Sequence, residues 1–235
     1  MAQTLTQLQN DVLSRLNLAS TSHRGDLDSG TSTTPTITTT ATITQYLNEA
    51  AAVLATTCYP IKDTGTYAWA ANTKSVLLTG LTVSSSQTLW LATDVKYTVD
   101  LQGPVSIAAL KQYHPDYLTP SATAPANWYV QGDGIGIYPV PSAGPVTITV
   151  QGYAIPAALA GSGTAAAWLR PDLEKLMVFY AAWMIAFKNS SDNFLEEYGV
   201  KWNAEWLKGC MALWAKLTDY DRNMIYKVPP VPLGK

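Results

Sequence analysis

Charge is scarce in this sequence. Asp, Glu, Lys and Arg make up 14% of its 235 residues, against roughly a quarter in ordinary soluble domains. Fifteen basic and 17 acidic residues leave a net charge of −2. They form no run long enough for a polybasic anchor, and neutralising a phosphate backbone needs clustered Lys and Arg. Tight nucleic-acid binding is therefore not expected. Cysteine is equally rare. Cys58 and Cys210 stand far apart in apolar, helix-like settings, so no disulfide framework is indicated and two buried free thiols are expected. No apolar run reaches the roughly 18 residues that would cross a bilayer; the richest is MVFYAAWMIAF at 177–187. The opening MAQTLTQLQNDVLSRLNL has neither a basic start nor a continuous apolar core, so a signal peptide is not expected. What the chain does have is 47% hydrophobic residues with 8 Trp and 13 Tyr. Few charges and many large rings suggest a surface partly covered by neighbours.

The pattern predicts α+β architecture. Leu5, Leu8, Val12, Leu13 and Leu16 share one helical face, with Thr4 and Gln7 spaced as a capping box, so a helix is expected over about 5–18. Residues 19–42 form a Ser/Thr-rich loop containing Arg24-Gly25-Asp26, a tripeptide too short to carry a function by itself. A second capping box, Thr42 with Gln45, precedes a helix whose apolar face holds Ile43, Tyr46, Leu47, Ala50, Val53 and Leu54 and which Tyr59-Pro60 stops. Residues 1–60 thus form an N-terminal helical segment. After the small-residue linker AGSGTAAA, Arg170-Pro171-Asp172 marks a helix start running to about Lys188. A long helix follows to about Asp219, with Phe194, Tyr198, Trp202, Trp206, Cys210, Met211, Trp214 and Leu217 on one side. The expectation is an αα-hairpin over 162–221 that completes a helical bundle with an aromatic seam, then an extended proline-rich arm at 222–235.

Between them, residues 61–161 change to a period of two. TYAWA, KSVLLTG, TLWLATD, KYTVDLQ, VSIAAL, NWYVQ, IGIYPV and VTITVQGYAI are short β-rich runs bounded by turn residues, which predicts an inserted small barrel or sandwich. The segment SIAALKQYHPDYL could instead hold one helical turn. Within this region GDGIGIYPVPSAG at 132–144 imitates a phosphate-binding glycine loop, yet prolines rather than a helix follow it. It is expected to be a hairpin: Gly132-Asp133-Gly134 turns the chain, Ile135 and Ile137 lie along a strand, Pro139 and Pro141 end its pairing, and a return strand starts at Val146.

Signs of catalysis are weak. His23 and His114 have no partners at metal-ligand spacing, and no nucleophile elbow, zincin or P-loop motif occurs. Glu196 and Glu197 point about 100° apart on a helix, so an ion pair of Glu197 with Lys201 fits better than a catalytic pair. Asp100, Asp116 and Asp133 could converge in the β-region. Trp69, Trp90, Trp128 and Tyr129 could stack on sugar rings, although rings at alternating strand positions more often fill a core. No enzyme activity, cofactor or metal is expected.

With this layout in hand, the chain from about Thr42 to Leu217 resembles the head-tail adaptor (connector) proteins of tailed bacteriophages. The resemblance rests on Thr44-Gln45-Tyr46-Leu47-Asn48-Glu49-Ala50-Ala51; on Trp128-Tyr129 leading through Gly136-Ile137-Tyr138-Pro139-Val140-Pro141 to Val146–Val150 and Tyr153; and on Leu169-Arg170-Pro171-Asp172 with Tyr180-Ala181-Ala182-Trp183. It implies a homo-oligomeric ring of about twelve copies at the virion neck, built in the host cytoplasm and touching no membrane. The ring would sit below the portal protein, receive tail or nozzle proteins, and let double-stranded DNA pass without sequence-specific binding. Trp183, Trp202, Trp206 and Trp214 would serve the bundle or the subunit interface. Ile225, Tyr226, Val228, Pro229, Pro230, Val231, Pro232 and Leu233 would form a portal-docking arm. Two alternatives stand beside this: another neck or tail ring protein of the same particle, and a carbohydrate-binding or carbohydrate-cleaving β-module.

Overall fold

The computed structural model describes residues 3–16, 40–83, 87–160, 169–188 and 193–217, with backbone alone at 193–196. These contain five α-helices: α1 (Leu5–Leu16), α2 (Thr40–Thr57), α3 (Ile107–Tyr113), α4 (Pro171–Lys188) and α5 (Asn193–Trp214). The chain divides into two compact units, one of residues 1–59 with 158–235 and one of Pro60–Ala157.

In the helical unit, α4 is the hub and packs against α1, α2 and α5. That is why its sequence shows no narrow apolar stripe: eleven of its residues are buried, from Leu173 round to Ala186. Pro171 opens it at the position where a missing N–H costs nothing, and the Arg170 carbonyl accepts from the amides of Leu173 and Glu174. The Thr4–Gln7 capping box is present. The Thr4 amide donates to Gln7 Oε1 at 2.8 Å and the Gln7 amide to Thr4 Oγ1 at 3.3 Å. Glu174, an acid in the first turn of α4, is buried and accepts the backbone N–H of Gln3, tying the start of α1 to that turn. The second predicted capping box is not one. Helix α2 begins at Thr40, which places Thr42 inside it, and Thr44 hydrogen-bonds back to the Thr40 carbonyl at 2.8 Å.

Among the described residues the β-unit contains nine strands: β1 (Ile61–Trp69), β2 (Ser75–Leu77), β3 (Thr82–Val83), β4 (Thr88–Lys96), β5 (Pro120–Ser121), β6 (Asn127–Gln131), β7 (Gly134–Tyr138), β8 (Val140–Pro141) and β9 (Val146–Ile155). They make three sheets of order β3-β1-β9-β4, β2-β7-β6 and β5-β8. No closed barrel forms among the described residues. Strand β9 has both edges occupied, antiparallel to β1 from Ile61↔Ala154 to Trp69↔Val146 and antiparallel to β4 across two irregularities, so β7 has no edge of it to join. The strand expected to return from the glycine-rich hairpin therefore belongs to another sheet, and the partner of β7 is β6 before it. Of the two readings for Val105–Leu110, a strand or a helical turn within SIAALKQYHPDYL, the helical one holds, since α3 starts at Ile107, and KYTVDLQ contributes only the end of β4 and isolated bridges. One buried cluster draws on both larger sheets, with Trp69, Leu89, Val95, Ile148 and Val150 from one and Val76, Trp128, Ile135 and Ile137 from the other.

The glycines of the hairpin have packing reasons. Gly132, at φ +58°, is the first residue of the two-residue turn between Gln131 and Gly134, where positive φ excludes most side chains. A Cβ on Gly134 would strike the Val76 carbonyl of β2, and one on Gly136 would enter the ring of Tyr129 across the ladder. Tyr129 lies flat over that glycine and donates its hydroxyl to the Lys74 carbonyl at 3.0 Å.

Candidate functional site

The most distinctive chemistry of the helical unit lies where α2, α4 and α5 meet. Helices α4 and α5 run antiparallel in a register set by two glycines: Gly199 faces the Cβ of Ala186, and Gly209, ten residues on, faces Leu176, ten residues back. Absent side chains at these positions let the two backbones approach closely, and that brings aromatic side chains together between them. Tyr180 is the centre of the cluster. Its ring meets Trp206 edge-on at 4.9 Å and Trp183 at 5.6 Å, and its hydroxyl donates to Glu49 of α2 at 2.6 Å. Burial, and then the Glu49 carboxylate that accepts its proton, push the Tyr180 phenol well above its ordinary range. The effect is to keep the phenol neutral and fixed.

The α2 motif acts through the same site. Tyr46, Leu47, Ala50 and Ala51 are buried. Asn48 accepts the Leu159 amide at 2.6 Å and reaches the Leu159 carbonyl at 3.5 Å, satisfying both backbone groups where the chain re-enters this unit. Arg170 grips Asp172 through two contacts of 3.1 and 3.0 Å and reaches the hydroxyl of Tyr59 at 3.1 Å, joining the end of α2 to the start of α4. The Tyr59 hydroxyl, and after it Asp172, hold the Arg170 guanidinium above its usual range.

Helix α5 has a second face. On the inner one, Trp202 and Trp206 are buried, Trp214 is half-buried, and Tyr198 packs on Trp202 at 5.9 Å. On the outer one, Val200, Leu207 and Met211 are 68%, 52% and 66% exposed, with exposed Ala204 between them. Spacings of seven and four residues put all of these on one stripe, bordered by exposed Lys201 and Lys208. Met211, expected among the seam residues, points outward instead, and so does Phe187 near the end of α4, at 69% exposure. A wide apolar face read from sequence does not distinguish a core stripe from an outer one beside it.

The other sequence candidates separate widely. Trp69, Trp128 and Tyr129 are completely buried, so none can offer a ring face to a sugar; only Trp90 is partly exposed, and it leans on Tyr153 at 6.4 Å. Asp100 shares a small recess of about 370 Å³ with Asp94, Lys96, Thr149 and Gln151. Asp133 sits in the β6–β7 turn and Asp116 in the turn after α3. His114 is exposed beside Tyr138. Among the described residues no three His, Cys, Asp or Glu side chains come together as a metal site, and no helix is long and apolar enough to cross a membrane. Glu197 and Lys201 form the anticipated ion pair at 2.7 Å. Outside the described residues lie His23, Arg24-Gly25-Asp26, the side chain of Glu196 and the whole 222–235 arm with Ile225, Tyr226, Val228, Pro229, Pro230, Val231, Pro232 and Leu233.

No curated protein matches the chain. A family model does, over residues 3–223, taking in both units and leaving nearly all of the arm beyond it. The chain belongs to the SU10 adaptor protein family.

Proposed function

We propose that this protein is a head-tail adaptor that closes into a ring at the virion neck, below the portal and above the tail proteins, with the DNA path running through it. Family membership supports a structural adaptor role in a phage particle, and the aromatic cluster around Tyr180 is built for rigidity rather than for chemistry. The observation that carries the ring reading is the outer stripe of α5. Three large apolar side chains on one helical face, in a chain so poor in charge, form the kind of patch that subunit contacts cover. A heterologous contact repeated by identical copies closes when the rotation allows, and a ring of about twelve would be its product. The net charge of −2 favours passage of DNA over its capture. The proline-rich arm would dock on the portal through Ile225, Tyr226, Val228, Val231 and Leu233, since proline reduces the entropy an extended segment loses on binding.

The test places a charge on the stripe. Leu207→Glu together with Met211→Glu should leave the monomer folded, with an unchanged circular dichroism spectrum and melting temperature. The same variant should fail to assemble and should leave phage heads without tails in a complementation assay. Normal rings and normal particles from it would exclude the stripe as the subunit contact. Deleting 222–235 should separately abolish attachment to DNA-filled heads.

A further inference from the structure

Helix α5 carries its outer stripe almost to its own end. Val200, Leu207 and Met211 are exposed along one line, the helix closes at Trp214, and the described residues stop at Leu217. Residues 218–235 therefore leave from the helix that bears the uncovered stripe. Their sequence suits it in kind and in length. Ile225, Val228 and Val231 recur at every third residue among Pro229, Pro230 and Pro232, and a polyproline II helix has three residues per turn, so this spacing puts all three on one edge. From Ile225 to Val231 that edge is about 19 Å long, at about 3.1 Å per residue. The stripe from Val200 to Met211 is about 17 Å long, at about 1.5 Å per residue. Between helix and arm lies Thr218-Asp219-Tyr220-Asp221, whose two Asp residues are suited to a chain reversal. From Asp221 to Ile225 an extended chain covers about 12 Å. Met211 lies about 10 Å or less back along the helix from Leu217, so the arm reaches the stripe without strain.

We propose that in the free protein the arm lies antiparallel along the outer stripe of its own α5, Ile225 over Met211 and Val231 towards Val200, and that docking of the arm elsewhere uncovers the stripe for the next copy. The second step rests on the ring reading above; the first does not. Tethering decides which occupant wins. A segment joined to the helix by a short link meets it at an effective concentration in the mM range, whereas separate copies at μM concentration are about a thousandfold more dilute. The chain's own arm therefore outcompetes a neighbour in free solution, even one that binds the stripe more tightly. At a portal the balance reverses. The apolar residues that would hold the arm to α5 are the ones that would dock it there, so one arm cannot occupy both places. Copies held side by side then gain the same local-concentration advantage over each other's stripes. Ring closure follows docking, and a chain so poor in charge is kept from associating away from it.

The test compares the full-length protein, without portal, with a full-length variant carrying Ile225→Ser, Val228→Ser and Val231→Ser, by analytical ultracentrifugation over a concentration series. The wild type should stay monomeric. The variant, with unchanged circular dichroism, should self-associate at a concentration lower by about tenfold or more. Adding Leu207→Glu and Met211→Glu to it should restore the monomer, because the stripe is what the arm had covered. A photo-crosslinking side chain in place of Tyr226 should link, within one chain, to a peptide between residues 197 and 214. That link is read on an otherwise unchanged arm, so it decides the first step whatever the serine variant does. A wild type that associates as readily as the variant would overturn the proposal, as would links that miss α5 or run only between chains. If the link forms but Leu207→Glu with Met211→Glu still gives normal particles, the release step falls together with the ring contact, and the arm's seat on α5 is supported.

Discussion

The two units bury their aromatic residues by different means. In the β-unit, Trp69, Trp128, Tyr129 and Tyr153 are fully enclosed, and the large apolar residues left outside, Leu77, Val99, Tyr113 and Val130, are scattered over separate elements. In the helical unit Val200, Leu207 and Met211 gather on one face of one helix. Isolated exposed apolar residues are ordinary on any protein surface, whereas a continuous stripe calls for a covering surface. The contrast shows that low charge has two counterparts here: a core that closes on itself, and a helix whose second face leaves large apolar side chains exposed together.

Glycine substitutions sharpen this contrast. In the β-unit a Cβ on Gly152, in the central strand β9, would strike the Leu91 carbonyl of β4. Gly152→Ala should therefore cost about 3 kcal/mol, the upper part of the range for overpacking, measured by urea unfolding. Backbone on both sides leaves nothing free to move. Tyr129→Phe comes next. It removes the hydroxyl bond to the Lys74 carbonyl and should cost about 1 kcal/mol near neutral pH. Burial pushes the Tyr129 phenol up to about 12, against about 10 in an unfolded chain. The folded state thus keeps a proton that the unfolded state loses, so the contribution of this group to stability is complete below pH about 10 and falls away as the pH rises towards 12. Tyr129→Phe should flatten, though not erase, the alkaline decline, because Tyr180 shifts in the same direction. Gly209→Ala in the helical unit should have the smallest effect. Its Cβ would meet Leu176 alone, at the two methyls and the branching carbon of a side chain rather than at backbone, and alanine regains about 1 kcal/mol of helix propensity, so the net change should lie within about 1 kcal/mol by thermal unfolding. A large loss at Gly209 would mean the helical unit is packed as tightly as the β-unit and would remove the distinction.

Sequence reasoning succeeded where the physics is local. The Thr4–Gln7 cap, Pro171 at a helix start, the Gly132-Asp133 turn and the alternating run Val146–Ile155 depend on neighbours a few residues away. It failed where the deciding partner is distant. Thr42 with Gln45 satisfies the capping spacing, but the helix already starts at Thr40. Strand order was invisible because the pairing of Ile61 with Ala154 leaves no local mark. At the candidate site, Trp202 and Trp206 were legible from helical periodicity, and Tyr180 from the motif it shares with Ala181-Ala182-Trp183. The role of Gly199 and Gly209 was missed, although two glycines ten residues apart in a long helix carry a propensity cost that only close packing would offset.

The pairing of β1 with β9 has a consequence for how such a chain can change. Its first strand and its last are hydrogen-bonded neighbours along nearly their full length, with Ile61 opposite Ala154, so the chain departs and comes back within about 5 Å, the spacing of adjacent strands. Everything between those two points is, topologically, a cassette: it could be exchanged for a different module, or reduced to a short connecting loop, while the flanking helices stay in the same order. Asn48, clamped to Leu159 just after the return, marks the seam at which such an exchange would have to be made.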